Sequence, residues 1–315
     1  MKAAQISRFG GPDVLAINEV ERPAPGEGEV LVQVEASSVN GHDVIVRAGG
    51  LKMVSGRKFP LGTGLDFAGV VIAAGPGAEG YRAGDRVWGM VHPRQRHVTG
   101  AAAEYVTLPA DRIAPAPAGI SPTDAASLVV AGTTALIALR DSTHLASGER
   151  VLVRGAAGGV GTAAVQLAHA MGGHVTALAR DRYARPLGDL GADRVLGYDA
   201  TPEQTGSFEV IVDTVGSDLE CYRRRLTKNG RMVTVGLSAS ALAAIGLSTI
   251  HGSRRIRTFS ANPDTALLRD LAGYVTSGAL RPVVSGVFSL EDIAAAHQAF
   301  SQGGILGKHV IAVAA

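Results

Sequence analysis

The sequence predicts an α/β protein in which a doubly wound parallel sheet is joined to a smaller β-rich domain. Strand-like and helix-like segments alternate from residue 150 onward, and a glycine-rich turn joins the first of these strands to a helix. The residues before 120 contain β-type segments that are separated by Gly-Pro and Gly-Asp turns. A chain of 315 residues is long enough for about two such domains.

The N-terminal half reads as a small barrel-like β domain. Residues 28–37 (GEVLVQVEAS) and 66–74 (DFAGVVIAA) read as strands, 86–90 reads as a further extended run, and turn signals at 75–76 and 84–85 separate them. Ser121 then predicts a helix start, because Pro122 follows it at the first helical position and Asp124 lies in the first turn. This helix leads into the second half of the chain.

The second half alternates strands with helix-compatible stretches, which predicts parallel strands with helical crossovers on both faces. The predicted strands are 150–154, 174–179, 195–198, 208–213 and 231–236, with a helix over 162–171. The last segments read as extended over 281–288, helical over 290–300 and extended over 309–313. We expect these C-terminal segments to belong to the N-terminal β-rich domain. The predicted domains are therefore 1–120 with 265–315, and 121–264.

The segment from Gly155 to Gly161 (GAAGGVG) is the most informative feature of the chain. Glycines between a strand and a helix let the backbone approach a pyrophosphate, and the helix N-terminus offers it free N–H groups and a positive dipole. The strand and helix on either side supply the context that this motif requires. The predicted dinucleotide contacts in this turn are Ala157, Gly158, Gly159, Val160 and Gly161.

The end of the second parallel strand predicts which nicotinamide cofactor is bound. An NAD site places Asp or Glu there, whereas this chain has Arg180, followed by Arg182 and Arg185. Guanidinium groups suit a 2′-phosphate, so NADP(H) is the expected cofactor. The alternative is a solvated basic loop in which Asp181 partly cancels the charge. Ligands bind beyond the carboxyl ends of such strands, so Val215, Gly236 and Leu237 are further candidate contacts.

Composition excludes several other classes of protein. The net charge of +2 gives no sign of a nucleic-acid-binding surface, and no apolar run reaches the length of a membrane span. The single cysteine, Cys221, excludes an intramolecular disulfide and a cysteine-rich zinc site. We expect a cytoplasmic protein with no membrane or nucleic-acid partner.

Several short motifs occur in a family-specific order. They are VNGHD (39–43), GLDFAGVV (64–71), GDRVWG (84–89), AGTTAL (131–136), DTVG (213–216) and GGILGKHVI (303–311). Together with the glycine turn, they resemble the zinc-independent medium-chain dehydrogenases/reductases of the quinone oxidoreductase group, related to zeta-crystallin and polyketide enoyl reductase domains. The resemblance covers nearly the whole chain. It implies a Rossmann domain, a GroES-like catalytic domain with a cleft between them, and a homodimer.

The resemblance also implies roles for individual residues. Asn40, Asp43 and Thr134 would lie beside the nicotinamide, with Ile45 and Leu65 in the substrate pocket. Further cofactor contacts implied in the same way are Tyr198, Phe259, Ser260 and Lys308. The alternatives are that Asn40 caps a turn, that Asp43 anchors a helix, and that Thr134 and Lys308 belong to the scaffold.

The resemblance makes an absence informative. Zinc-dependent relatives carry a cysteine in the segment that matches 36–43 and a histidine where this chain has Leu65. Neither ligand is present, and the four-cysteine structural lobe is missing. His92 and His97 have no partners at ligand spacing. We therefore expect no bound metal.

These observations predict an NADPH-dependent reductase that adds hydride to an activated C=C bond (enone or enoyl) or to a quinone. Relatives often carry tyrosines where this chain has Ile45 and Leu136, so the substrate is expected to be a small, apolar, conjugated molecule. One alternative is a natural-product tailoring reductase in which hydride addition drives enoyl reduction or ring closure. An alternative of another class is a crystallin-like binding or structural protein that retains NADPH binding.

Overall fold

A computed structural model describes residues 1–50, 58–92, 99–236 and 238–313 of the chain. The chain divides into two compact units. The first contains Met1–Val130, Asn262–Thr276 and Pro282–Ala315, and the second contains Ala131–Ala261 and Ser277–Arg281. The division falls inside a helix after Val130, ten residues later than the predicted boundary at 120/121. The segment 265–276 belongs to the first unit.

The first unit is built on two β-sheets. Its strands are β1 (Lys2–Ile6), β2 (Leu15–Glu19), β3 (Glu29–Ser38), β4 (Leu61–Gly62), β5 (Asp66–Ala74), β6 (Arg86–Met90), β7 (Tyr105–Pro109), β8 (Ile113–Pro115), β15 (Val284–Ser289) and β16 (Lys308–Ala312). A larger sheet has the order β15-β16-β3-β5-β6-β8, with β7 also paired to β3, and a smaller one has the order β2-β1-β4. All pairs are antiparallel except β15 with β16. This is the predicted barrel-like β domain.

Among the described residues, three α-helices lie wholly in the first unit: α1 (Gly41–Arg47), α8 (Thr265–Thr276) and α9 (Ile293–Gln302). The long strand β3 runs through the core of this unit, where Val30, Val32 and Val34 are fully buried. They pack with Phe67 of β5 in one apolar cluster. The apolar residues of β3 and β5 therefore fix the position of the segment 39–43, which follows β3 directly.

The second unit contains one six-stranded parallel sheet. Its strands are β9 (Arg150–Arg154), β10 (His174–Leu178), β11 (Arg194–Leu196), β12 (Phe208–Asp213), β13 (Leu226–Thr234) and β14 (Ile256–Arg257). The order is β11-β10-β9-β12-β13-β14, with every neighbouring pair parallel. The order reverses at β9, so the sheet is doubly wound and a ligand is expected beyond its carboxyl edge. The predicted fold class is confirmed.

The helices of this unit are α3 (Gly159–Ala170), α4 (Ala184–Asp189), α5 (Pro202–Thr205), α6 (Leu219–Arg223) and α7 (Ala239–Ser248). Val151, Leu152 and Val153 of β9 are all fully buried, as expected for a central strand that is covered on both faces. The predicted bounds of β9 and β12 match the structure. Strand β13 begins five residues earlier than predicted, because a register shift opposite Phe208–Val210 lets it pair from Leu226.

Helix α2 (Pro122–Leu136) continues as a π-helical segment, Ile137–Ser142. The sequence has no continuous apolar run as long as a membrane span. In the structure, however, Pro122–Ser142 forms 21 continuous helical residues that meet the length and apolarity of one, and 72% of its apolar window is buried inside the protein. A buried core helix has the same composition. This is the single segment of this kind among the described residues.

Candidate functional site

The glycine turn after β9 is held by close backbone packing. Gly155 has a φ of +70°, a left-handed conformation that favours glycine. A Cβ there would lie 2.2 Å from Thr214 Oγ1. Gly158 is the N-cap of α3 in extended conformation, and no side chain caps the helix. Helix α3 therefore begins at Gly159, three residues before the predicted start.

Gly161 sets the distance between α3 and the turn. A Cβ on Gly161 would lie 2.2 Å from the Gly155 carbonyl oxygen, so only glycine fits without moving the turn. The N–H groups of Gly159, Val160 and Gly161 lie in the first helical turn, where an α-helix offers no internal acceptors. Ala157 is buried beside them. A short uncapped turn ahead of a 12-residue helix fits a bound pyrophosphate group.

The charges of Arg154 and Arg180 both act on Tyr198, which lies beyond the carboxyl end of its strand. Arg180 lies two residues after the end of β10 and is exposed, and Tyr198 lies two residues after the end of β11 with 54% of its surface exposed. Burial of part of the ring raises the pKa of the Tyr198 phenol, and the charges of Arg154 and Arg180 oppose this shift. Arg182 stacks on the Tyr183 ring at 4.8 Å and donates to its hydroxyl at 2.9 Å. Arg180 is thus exposed at the position that an acid occupies in NAD sites.

The loops after β12 and β13 approach each other closely. A Cβ on Gly236 would lie 2.5 Å from the Gly216 nitrogen. Asp213, at the end of β12, accepts hydrogen bonds from Gly216 N at 2.8 Å and Thr234 Oγ1 at 2.7 Å. Val215 is 45% exposed, as a ligand contact would be in the unbound protein. The predicted contact Leu237 lies outside the described residues.

In the first unit, the structure brings three of the predicted residues together with Asp66, which the sequence analysis did not name. Lys308 Nζ donates to Asn40 Oδ1 at 2.6 Å and to the Val39 carbonyl at 2.8 Å, and lies 3.8 Å from Asp66 Oδ2. Asn40 Nδ2 donates to Asp66 Oδ1 at 3.1 Å. Asp43 accepts from the Asn40 backbone N–H at 3.0 Å, an interaction that fastens the start of α1. We refer to Lys308, Asn40 and Asp66 as the Lys308 cluster.

Burial dominates the electrostatics of the Lys308 cluster. Asp66 is fully buried and Lys308 is 6% exposed. Burial raises the pKa of Asp66, and the charge of Lys308 and hydrogen bonds from Ser38 and Asn40 oppose this shift. Burial lowers the pKa of Lys308, against the attraction of Asp66 and Asp43. Two acceptors, Asn40 Oδ1 and the Val39 carbonyl, take hydrogen bonds from Nζ, and the Asp66 carboxylate lies within ion-pair distance of it. The cluster therefore fixes the Asn40 amide, with its oxygen facing a cation.

The remaining predicted residues have the following positions. Leu65 is buried, Ile45 is half-buried on α1, and Thr134 is buried on α2 in the second unit. Phe259 and Ser260 lie in an irregular segment after β14. Within the described ranges, no group of three or more His, Cys, Asp or Glu side chains could hold a metal ion. His97 falls outside those ranges.

Comparisons with known proteins agree with this architecture. Residues 26–118 match the family model described as alcohol dehydrogenase GroES-like domain, and residues 190–311 match the one described as zinc-binding dehydrogenase. The 2-methylene-furan-3-one reductase of Solanum lycopersicum is 31% identical over 99% of this chain and 79% of its own. The quinone oxidoreductase structure from Coxiella burnetii is 31% identical, with a TM-score of 0.92 over 100% of this chain and 99% of its own.

A third similar structure is that of the mycobacterial protein Rv1454c complexed with NADPH. It is 27% identical, with a TM-score of 0.84 over 99% of this chain and 100% of its own. The chain belongs to the medium-chain dehydrogenase/reductase family, and it is an oxidoreductase. The resemblance stated from the motifs is confirmed.

Proposed function

We propose that this oxidoreductase uses NADP(H) to reduce an activated C=C bond or a quinone, without zinc. The observation that carries the proposal is the exposed Arg180 at the carboxyl end of β10, on the strand next to the glycine turn. A permanently charged guanidinium there suits a 2′-phosphate, and it lacks the acceptor that an acid would offer to the ribose 2′-hydroxyl. The similar mycobacterial structure holds NADPH, which supports this choice.

The chain supplies a contact for each charged part of the cofactor. The N–H groups of Gly159, Val160 and Gly161 would bind the pyrophosphate, and the positive end of the α3 dipole would favour its charge. Arg180 would pair with the 2′-phosphate. When bound, NADPH supplies the hydride. The protein's own contribution is to orient the cofactor and to provide a site for the acceptor.

The residues of the first unit favour a conjugated acceptor. Where zinc-dependent relatives carry their histidine ligand, this chain has Leu65, and the segment 36–43, which matches their cysteine, contains no cysteine. Oxidising an alcohol would need another group to stabilise an alkoxide, whereas an enolate or hydroquinone delocalises its charge and needs only hydrogen bonds and a proton. Ile45 and Leu65 would give the acceptor an apolar environment. Two relatives named for enone and quinone substrates support the same class.

The cofactor preference is tested by calorimetric titration of the purified protein with NADPH and NADH. We expect NADPH to bind at least tenfold tighter, because a charge-assisted hydrogen bond contributes about 1.5–3 kcal/mol. Equal affinities would overturn the NADP(H) assignment. Elemental analysis in parallel should find no stoichiometric zinc, and stoichiometric zinc would overturn the zinc-independent mechanism.

The reaction is tested with a panel of enones, quinones, enoyl thioesters and simple alcohols while NADPH absorbance is followed. We expect turnover with one of the first three classes and negligible alcohol oxidation. With deuterium at the transferred position of NADPH, the label should appear on the carbon β to the electron-withdrawing group of an enone. Robust alcohol oxidation, or no turnover with any activated alkene or quinone, would overturn the proposal.

We further propose that the chain forms a homodimer through the second unit. Strand β14 is the outermost strand of its sheet, and an open edge can pair with another copy. Leu242, Leu247 and Ile250 on the neighbouring helical segment are 60%, 76% and 85% exposed. Light scattering should give the mass of two chains, and Leu247→Glu should give one. A wild-type monomer at micromolar concentration would refute the dimer.

A further inference from the structure

Arg154 is a buried cation at the centre of the parallel sheet. It is the last residue of β9, immediately before Gly155, and it is 4% exposed. The three residues that precede it are apolar and fully buried. A charge in this position needs partners, because an unpaired buried ion costs several kcal/mol.

Arg154 makes three contacts, one each with the end of β12, the loop that follows it and helix α6. Its Nη1 donates to Asp213 Oδ1 at 2.5 Å and to the Ser217 carbonyl at 2.8 Å. Its guanidinium carbon lies 3.7 Å from the centre of the Tyr222 ring. Because Ser217 ends the loop that begins at Thr214, Arg154 holds this loop against the end of β9.

One donor of the same guanidinium has no partner. Arg154 Nε is buried and lacks a hydrogen bond within the described part of the chain. Nearly all buried N–H donors in folded proteins are satisfied, so an orphaned donor calls for an explanation. Arg154 also interacts electrostatically with the half-exposed Tyr198. Arg154 ends β9 directly before Gly155, so the unpaired N–H lies at the carboxyl edge of the sheet, where a ligand is expected.

We propose that Arg154 binds the adenosine part of the dinucleotide, with Nε donating to a neutral acceptor on the base or ribose. Asp213 already balances the charge of Arg154, so the guanidinium offers one directional N–H rather than net positive charge. A phosphate dianion prefers an unbalanced cation such as Arg180. This inference rests on the proposed NADP(H) function and adds a second positioning residue beside Arg180.

The test is calorimetric titration of the ligand-free protein with NADPH, NADH and 5′-AMP. Arg154→Lys keeps a positive charge towards Asp213 but lacks the Nε N–H. We expect all three affinities to fall about tenfold, because all three ligands share adenosine. Arg150→Lys is the matched control. Arg150 lies at the other end of β9, where it pairs with Glu209 at 2.7 Å, and the variant should bind all three ligands like wild type.

Unchanged affinities in Arg154→Lys would overturn the proposal. A loss of affinity for NADPH alone would also overturn it, because it would place Arg154 at the 2′-phosphate. If the wild-type protein binds neither NADPH nor NADH, the proposed NADP(H)-dependent function itself is refuted. Should Arg154→Lys fail to fold, ¹⁵N-arginine-labelled wild-type protein gives the same answer by NMR. Addition of 5′-AMP must then shift a slowly exchanging Nε–H resonance, and the absence of any such shift would refute the contact.

Discussion

Removing the Lys308 ammonium should destabilise the first unit strongly. In Lys308→Met, the Asp66 carboxylate keeps its hydrogen bonds from Ser38 and Asn40 but loses its counter-ion, and Asp66 has no exposed surface. Breaking a buried ion pair by removing one partner costs about 3–5 kcal/mol. A domain of this size loses about 2–4 °C of Tm per kcal/mol. We therefore expect the Tm to fall by roughly 10 °C.

The assay is thermal unfolding followed by circular dichroism at pH 7, with two further variants. Lys2→Met is the matched control, since Lys2 pairs with Glu291 at the surface of the same unit at 2.7 Å. Exposed pairs contribute about 1 kcal/mol or less, so the Tm should change little. Lys308→Met with Asp66→Asn should recover part of the loss, because the Asp66 charge is removed together with its counter-ion. A Lys308→Met protein as stable as Lys2→Met would refute the assignment of Lys308 and Asp66 as a buried ion pair.

Three further predictions concern single residues. Arg180→Ala should weaken NADPH about tenfold or more and leave NADH nearly unchanged in fluorescence titrations; an equal loss for both would mean that Arg180 does not contact the 2′-phosphate. Gly161→Ala should weaken NADPH at least tenfold, because its Cβ would lie 2.2 Å from a backbone oxygen, whereas Gly188→Ala, with no atom within 4 Å, should bind normally. The Arg150 guanidinium holds the pKa of Glu209 at about 2, below its usual 4.5. Because the folded-state pKa is lowered, the pair stabilises the protein above pH 4.5 and is lost as the pH falls towards 2. Glu209→Gln should therefore lower the free energy of unfolding at pH 7 by about 1 kcal/mol, with a slightly lower Tm, and match wild type at pH 2; a Tm difference that persists at pH 2 would contradict it.

The fold of the second unit was largely predictable from the sequence. Its strands are short apolar runs between glycine-rich or polar turns, and this pattern is specific to buried parallel strands. The sequence RVLVR therefore predicts both ends of β9 correctly. The start of α3 was predicted three residues late, because glycine carries no propensity signal for the first helical turn. The boundary between the units was also misplaced, since helix α2 runs through it without a break in composition.

The candidate site residues could be predicted from the sequence only where they belong to a recognisable motif. Asn40, Asp43 and Lys308 were named from separate motifs, but their meeting depends on β16 pairing with β3 across some 270 residues of chain. Asp66 was missed because it looks like an ordinary residue at the start of a strand. Arg154 was missed because it was counted as part of an apolar strand. An arginine at the end of such a run is the signal that could have drawn attention to it.

Two buried ion pairs, Arg154 with Asp213 and Lys308 with Asp66, lie in segments that the sequence motifs had already marked. Stability alone does not account for them, because replacing a buried pair with well-packed apolar residues is often neutral or stabilising. Each pair instead fixes a neighbouring group: Arg154 fastens the Thr214–Ser217 loop, and Lys308 fixes the Asn40 amide. Arg180, by contrast, is exposed at the sheet edge. Within the second unit, this distribution of charge suits a site in which the balanced Arg154–Asp213 pair orients neutral groups and the exposed Arg180 attracts the charged end of a ligand.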